Sequence, residues 1–240
     1  MAHEYMVASC SWPDHLCFGE NDGALSSLEQ VKRRMDAWKE TFNSKTVHWR
    51  EVRTRRDLSK YYASPDNPRT QEKKIKDVTW DDFCEVPRLA HERDMKALLY
   101  VSVFDEGRPL PQAEERSRSF HNSMHGQHVT WQTDWSRENP KYTMVNRGGG
   151  ISQWGVLCYG YPEVREQIKK RILGFIDGNN FDGVFLCTRS QCRPADYAEQ
   201  FGFNKPVRDD FYNLYGNDIE REDFDLIKWH SLLGNYFTIF

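Results

Sequence analysis

Two adjacent carboxylates, Asp105 and Glu106, directly follow residues 97–104, the clearest strand-like apolar run in the sequence. A pair of carboxyl groups can do acid and base chemistry when one is held protonated and the other ionised. Acidic residues before Gly107 are also typical of a solvated turn, which is the commoner role of such residues. The residues therefore predict a candidate catalytic pair, Asp105 and Glu106, with the turn as the alternative.

Polar residues also follow two other apolar runs. Trp49, Arg50 and Glu51 lie at the end of residues 46–50, and Arg189 and Gln191 follow residues 184–188. An arginine can hold a carboxylate or sulfate through two parallel hydrogen bonds, although arginines also serve as structural ion-pair partners. These five residues are predicted to bind a substrate.

Tryptophans are frequent outside the apolar runs. Trp131, Trp135 and Trp154 fall in a long irregular segment, and the apolar faces of such rings can stack on a flat ligand. The same rings could instead pack the segment against the core. Trp154 and Trp49 are retained as substrate-binding candidates.

Three histidines, His121, His125 and His128, suggest a metal cluster. Their segment has no helical pattern and no nearby carboxylate, whereas a metal site needs three or four converging ligands. The sequence therefore predicts no metal and no cofactor.

The elements that position these residues alternate between strand and helix. Amphipathic patterns predict helices from a capping box at Ser26 and Glu29, from about Thr79 and from Tyr161. Apolar runs lie between them, so the chain is predicted to form a parallel α/β sheet. Residues 184–188 are expected to be a central strand with Leu186 buried. The candidate residues should then share the carboxyl edge, with Asp182 at the opposite edge.

Four strands are half of those in a (β/α)₈ barrel. The apolar pattern of the last helix continues to Phe240 without a stop signal, which favours a TIM barrel of which this chain holds the N-terminal four βα units, as a single domain over residues 1–240 that is truncated at its C-terminus. Residues 108–160 form an insertion after the third strand. A small open sheet is the alternative. An exposed apolar edge beside the fourth strand is expected to promote self-association.

The 33 basic and 36 acidic residues give a net charge of -3 and are spread along all 240 residues. This distribution argues against a nucleic-acid or membrane partner. Without an apolar run of roughly 18 residues or a signal peptide, a cytoplasmic location is expected. The six cysteines are interpreted as free thiols.

Four segments resemble the glycosyl-hydrolase-like TIM barrels, a "family ten glycosylhydrolase-like" group of uncharacterised bacterial proteins. They are YPEVREQIKKRILGFI, DGVFLCTRSQ, FGFNKPVRDDFYNLYGNDI and DFDLIKWHSLLGNYFTIF. The resemblance implies a carbohydrate partner and hydrolysis of a poly- or oligosaccharide. The related barrels commonly place a carboxylate beyond the fourth strand, whereas this chain has Cys187, Thr188 and Arg189 there. A non-catalytic carbohydrate-binding barrel is therefore the alternative, and a metal-dependent lyase or hydrolase is the third.

Overall fold

The computed structural model describes residues 6–10, 27–50, 82–107, 121–122, 127–128, 132–188, 192–193 and 195–238. The chain divides into two compact units. The first contains residues 1–102 and 172–187, and the second contains residues 103–171 and 188–240. The single barrel-type domain over residues 1–240, with its insertion, stays a prediction.

The described helices are α1 (Leu28–Phe42), α2 (Asp82–His91), α3 (Asp134–Glu138), α4 (Pro162–Ile176), α5 (Lys205–Tyr215) and α6 (Leu226–Asn235). The described strands are β1 (Val7–Cys10), β2 (Thr46–Arg50), β3 (Lys96–Ser102), β4 (His121–Asn122), β5 (Gln127–His128), β6 (Thr143–Val145), β7 (Ser152–Leu157) and β8 (Gly183–Cys187).

The first unit is built on a parallel sheet with the strand order β1-β2-β3-β8. This confirms a mixed α/β chain with a parallel sheet, in which β3 pairs with β8. The described strands form an open sheet, so the (β/α)₈ barrel stays a prediction. The prediction that β8 is central is wrong for this order, in which β8 is the last strand. Leu186 is accordingly half-buried, whereas Val101, its partner on β3, is fully buried.

One face of this sheet is apolar. Its side chains alternate with those of the other face, as the two-residue period of a strand requires, and the fully buried ones include Val47, Trp49, Leu99 and Val101. Helix α2 packs on β2 and β3, and its buried residues include Phe83, Val86, Leu89 and Ala90. Burying each larger side chain contributes about 2 kcal/mol of transfer free energy. This packing is the core of the first unit.

Helix α1 begins one residue later than the sequence pattern predicts. The capping box is formed by Ser27 and Gln30 rather than by Ser26 and Glu29. The Ser27 hydroxyl accepts from the Gln30 backbone N–H at 3.2 Å, and the Gln30 side chain accepts from the Ser27 N–H at 3.0 Å. Glutamine and glutamate serve equally well at this position, so spacing alone does not distinguish the two frames.

Asp182 fixes the start of β8 against the start of β3. Its Oδ2 atom accepts from the Ala97 N–H at 2.8 Å and lies 2.9 Å from His91 Nε2. Asp182 is thus at the amino-terminal ends of these strands, whereas Arg50 pairs with Tyr100 near their carboxyl ends. Partial burial acts against the ionised form, but the hydrogen bonds from His91 and Ala97 outweigh it and lower the pKa of Asp182.

The second unit contains the antiparallel pair β6–β7 and the packed helices α5 and α6. Its aromatic core surrounds Trp229, which is fully buried and contacts Phe203, Phe211 and Phe224. Residues 132–160 are thus partly ordered as α3, β6 and β7, although the sequence shows no regular pattern there.

Helix α6 begins at a side-chain cap. Asp225 is the N-cap and accepts from two backbone N–H groups, so the helix begins at Leu226. On this helix Trp229 is buried, whereas Ile227 is 81% exposed although its residue type favours burial. None of the helices in the described ranges is long and apolar enough to cross a membrane.

We expect Asp182→Ala to lower the free energy of unfolding by about 1 kcal/mol at neutral pH, because it removes an acceptor from the Ala97 N–H. The folded pKa of Asp182 is lowered, so its stabilisation is present above the unfolded pKa and is lost as the pH falls through the folded pKa. The difference between variant and wild type should therefore vanish in acid.

Urea unfolding across this pH range measures the effect, with Asp177→Ala as the matched control. Asp177 is an exposed aspartate just after α4. A loss of stability for Asp182→Ala that does not change with pH would contradict the ionic contribution.

Candidate functional site

Asp105 and Glu106, the predicted catalytic pair, lie in the second unit and have different surroundings. Glu106 is only 2% exposed, whereas Asp105 is partly exposed. Adjacent residues on the chain thus differ in access to a substrate. Asp105 is the more exposed of the two.

The carboxylate of Glu106 is engaged at both oxygens. Arg171 Nη1 lies 2.5 Å from Oε1, and the Thr133 hydroxyl donates to Oε2 at 2.6 Å. The Glu106 backbone N–H donates to the Gly155 carbonyl at 2.9 Å, and its carbonyl accepts from the Thr133 N–H at 3.0 Å. A buried, ion-paired carboxylate of this kind holds a loop in place. This geometry favours an anchoring role for Glu106, and its catalytic role stays a prediction.

Asp105 contacts a thiol. Cys192 Sγ lies 2.6 Å from Asp105 Oδ1, and Cys192 is 1% exposed. Burial raises the pKa of the Cys192 thiol well above its ordinary value, and the Asp105 charge adds to this effect. The thiol therefore stays protonated at neutral pH and donates to the carboxylate. A partly exposed aspartate can act as a base or a nucleophile when it is ionised.

The open face of the parallel sheet, in the first unit, is lined by rings. Phe185 stacks on His48 with centroids 4.4 Å apart and on Tyr100 at 5.3 Å. Phe185 is 39% exposed. Burial lowers the pKa of His48, and raises the pKa of Tyr100 to about 12 with a contribution from a hydrogen bond to Cys187. A neutral imidazole and a protonated phenol give this face two uncharged hydrogen-bonding groups beside the Arg50 guanidinium.

His48, Tyr100 and Phe185 lie inside strands. They are not among the residues predicted from the sequence, because those were chosen at the ends of the predicted strands. Strict alternation along β2 and β3 is the sequence signal that identifies the first two. The predicted exposed apolar edge beside the fourth strand stays a prediction. Self-association through that edge stays a prediction.

The predicted substrate-binding residues are found in different places. Trp49 is fully buried in the apolar face of the sheet, so the structure gives it a core position that a sugar cannot reach. Arg50 is on the open face but only 4% exposed, with its guanidinium carbon 5.2 Å from the Tyr100 ring centroid. In the second unit, Trp154 is partly exposed on β7. Glu51, Arg189 and Gln191 lie outside the described residues.

The histidine segment is described only in part. His121 and His128 occupy opposite positions in the β4–β5 pair, and His125 lies outside the described residues. Within the described part of the chain, no three His, Cys, Asp or Glu side chains are grouped as metal ligands.

No protein-family model matches the sequence, and no curated protein is significantly similar to it. Solved structures align with the chain at low TM-scores. A GH36 alpha-galactosidase from Geobacillus stearothermophilus, in complex with stachyose, has a TM-score of 0.40 at 11% identity, covering 88% of this chain and 26% of its own. Trehalose-6-phosphate hydrolase from Bacillus licheniformis has 0.40 at 15% identity, covering 76% and 34%.

The galactosidase domain of an alpha-galactosidase-sucrose kinase has a TM-score of 0.38 at 15% identity, covering 78% of this chain and 22% of its own. The chain thus spans about a third or less of each solved structure. TM-scores this low assign neither a fold nor an activity to it.

We expect Glu106→Gln to lower the free energy of unfolding by about 3 kcal/mol, because it removes the buried charge that faces Arg171. Denaturant unfolding measures the change. Asp134→Asn is the control, since Asp134 and Arg137 form an exposed pair whose loss should cost less than about 1 kcal/mol. If Glu106→Gln is as stable as the wild type, the anchoring role is wrong and Glu106 is available for a catalytic role.

Proposed function

We propose that this chain is a carbohydrate-active α/β protein that hydrolyses glycosidic bonds of an oligo- or polysaccharide. The observation that carries the proposal is Asp105, a partly exposed carboxylate that receives a thiol hydrogen bond shortly after a strand of a parallel sheet. Sugar as the ligand class is supported by the sequence resemblance, which is strongest from Tyr161 onward.

Asp105 supplies one of the two carboxyl groups that glycoside hydrolysis needs. The hydrogen bond from Cys192 favours its ionised form, which suits the base that activates water or the nucleophile that attacks the sugar. The other carboxyl group has to protonate the leaving oxygen. Glu106 does not suit that role, because both of its oxygens are engaged and it is buried. The acid therefore comes from a different residue.

A second candidate is carbohydrate binding without hydrolysis. It is favoured because Glu106 is buried and bonded to Arg171 and Thr133. Asp105 is then the one partly exposed carboxylate of this pair, whereas hydrolysis needs two carboxyl groups. Partly exposed aromatic residues, Phe185 on β8 and Trp154 on β7, offer apolar rings of the kind on which sugars stack. The metal-dependent lyase or hydrolase stays a prediction without support from the described residues.

We expect Asp105→Asn to reduce turnover of a cleaved oligosaccharide at least about 100-fold, because amide nitrogen and oxygen replace an ionised group that takes part in proton transfer or attack. Sugar release is measured by chromatography and sugar affinity by calorimetry. Affinity should change little.

The control is Asp223→Asn, which removes an exposed aspartate from the same unit and should leave turnover unchanged. Undiminished turnover in Asp105→Asn contradicts the proposed role of Asp105. Binding of sugars by the wild type with no cleavage of any of them would favour the second candidate.

A further inference from the structure

Cys192 contacts the Asp105 carboxylate, and this contact has a direction. An ionised carboxylate carries no hydrogen, so the thiol at 2.6 Å is the donor and Oδ1 is the acceptor. The thiol is buried, whereas the carboxylate is partly exposed. A buried donor thus holds a group that a ligand can reach.

The thiol is held in place by strand β7. The Gln153 side chain donates to the carbonyl of Arg193 at 3.0 Å, and the Arg193 guanidinium donates to the carbonyl of Ser152 at 2.6 Å. These two hydrogen bonds tie the residue after Cys192 to the strand from both directions. The backbone that carries the thiol is therefore fixed.

Gly155 lets the thiol approach the strand. It has a φ angle of +83°, and a Cβ atom there would lie 2.7 Å from the Gly107 carbonyl oxygen and closer still to the Cβ of Cys192. Since real Cβ atoms essentially never come within such distances of other heavy atoms, only glycine allows this packing. The Gly155 carbonyl also accepts from the Glu106 N–H. One strand thus positions both the donor and the loop that carries the acceptor.

We propose that Cys192 is a positioning residue for Asp105, whose thiol orients the carboxylate and favours its ionised form. Within the proposed function, on which this inference rests, Asp105 is then the base or nucleophile and not the acid. Cys192 contributes as a hydrogen-bond donor and has no covalent role.

Glu106 and Arg193, the charged neighbours of the pair along the chain, are each in contact with other residues. The Glu106 charge lies on the same loop, where Arg171 compensates it, and it acts with Asp105 in raising the pKa of Cys192. The guanidinium of Arg193 lies 5.4 Å from the Phe201 ring centroid. A thiol that keeps its proton remains a donor throughout the neutral range.

The direct test is a carboxyl-carbon NMR titration of Asp105 in the wild type and in Cys192→Ala, Cys192→Ser and Cys158→Ala. Loss of the donor in Cys192→Ala should raise the Asp105 midpoint by about one pH unit. Cys192→Ser keeps an O–H donor and should restore most of the difference. Cys158 is the matched control, a buried thiol with its pKa raised to about 12 by burial and with backbone partners at Gly160 and Tyr161. Its replacement should leave the Asp105 midpoint unchanged.

The kinetic test follows the pH dependence of kcat/KM on a cleaved substrate. The acidic limb should move to higher pH in Cys192→Ala, return in Cys192→Ser and stay in place in Cys158→Ala. A loss of packing alone lowers stability without moving this limb. If the Asp105 midpoint and the limb are the same in all four proteins, the positioning role is wrong.

Failure of this inference and failure of the proposed function are distinguishable. A displaced Asp105 midpoint without hydrolysis of any sugar supports the positioning role and contradicts the hydrolase proposal. If the Asp105 midpoint is unchanged in Cys192→Ala but turnover depends on Asp105, the hydrolase proposal is supported and the positioning role is contradicted. If Cys192→Ala does not fold, infrared spectroscopy replaces it: a Cys192 S–H stretch that is equal in the wild type and in Asp105→Asn contradicts the hydrogen bond, whereas a higher frequency in Asp105→Asn supports it.

Discussion

The buried charge of Glu106 is a constraint on which the candidate site in the second unit depends. Moving a carboxylate out of water costs several kcal/mol unless a counter-charge and hydrogen bonds meet it. Arg171 and Thr133 supply these, and they come from parts of the chain 65 and 27 residues away from Glu106. The loop that also carries Asp105 is therefore held by helix α4 and by the residue that caps α3. Precise placement of an accessible carboxylate here depends on an inaccessible one.

Along each strand of the parallel sheet, successive side chains point to opposite faces, so that core residues alternate with residues of the open face. On β2, Trp49 points into the apolar face and is buried, while its neighbours His48 and Arg50 belong to the other face. The same alternation places Tyr100 on β3 between the buried residues Leu99 and Val101. A single residue step along a strand thus decides whether a side chain contributes to the core or to the open face.

Much of the first unit could be predicted from the sequence, because it depends on local signals. Apolar runs with turn residues at their ends gave β2 its observed bounds, and strand direction placed Asp182 at the amino-terminal ends. The position of β8 in the sheet was not predictable in this way, since a run of apolar residues is compatible with a central or a terminal strand. Leu186 is half-buried for that reason.

The candidate site was predictable only in part. Asp105 and Glu106 are adjacent carboxylates that residue type and position do not distinguish. Their different roles depend on contacts with Arg171, Thr133 and Cys192, which are distant in the chain. Ile227 illustrates the same limit in a helix, since the phase set by the Asp225 cap turns it outward although its residue type favours burial. Long-range contacts and cap positions are the physical information that residue type and spacing lack.

Gly155 links two positions that are 37 residues apart and that a reader of the sequence would treat as independent. Cys192 occupies the space that a side chain at position 155 would fill. A protein with a side chain at position 155 therefore needs a smaller or displaced residue at position 192. Substitutions at the two positions should therefore covary, and the carboxylate would lose its donor in the same step. A methyl group added at position 155 on β7 would then also change the protonation of Asp105, through its effect on residue 192.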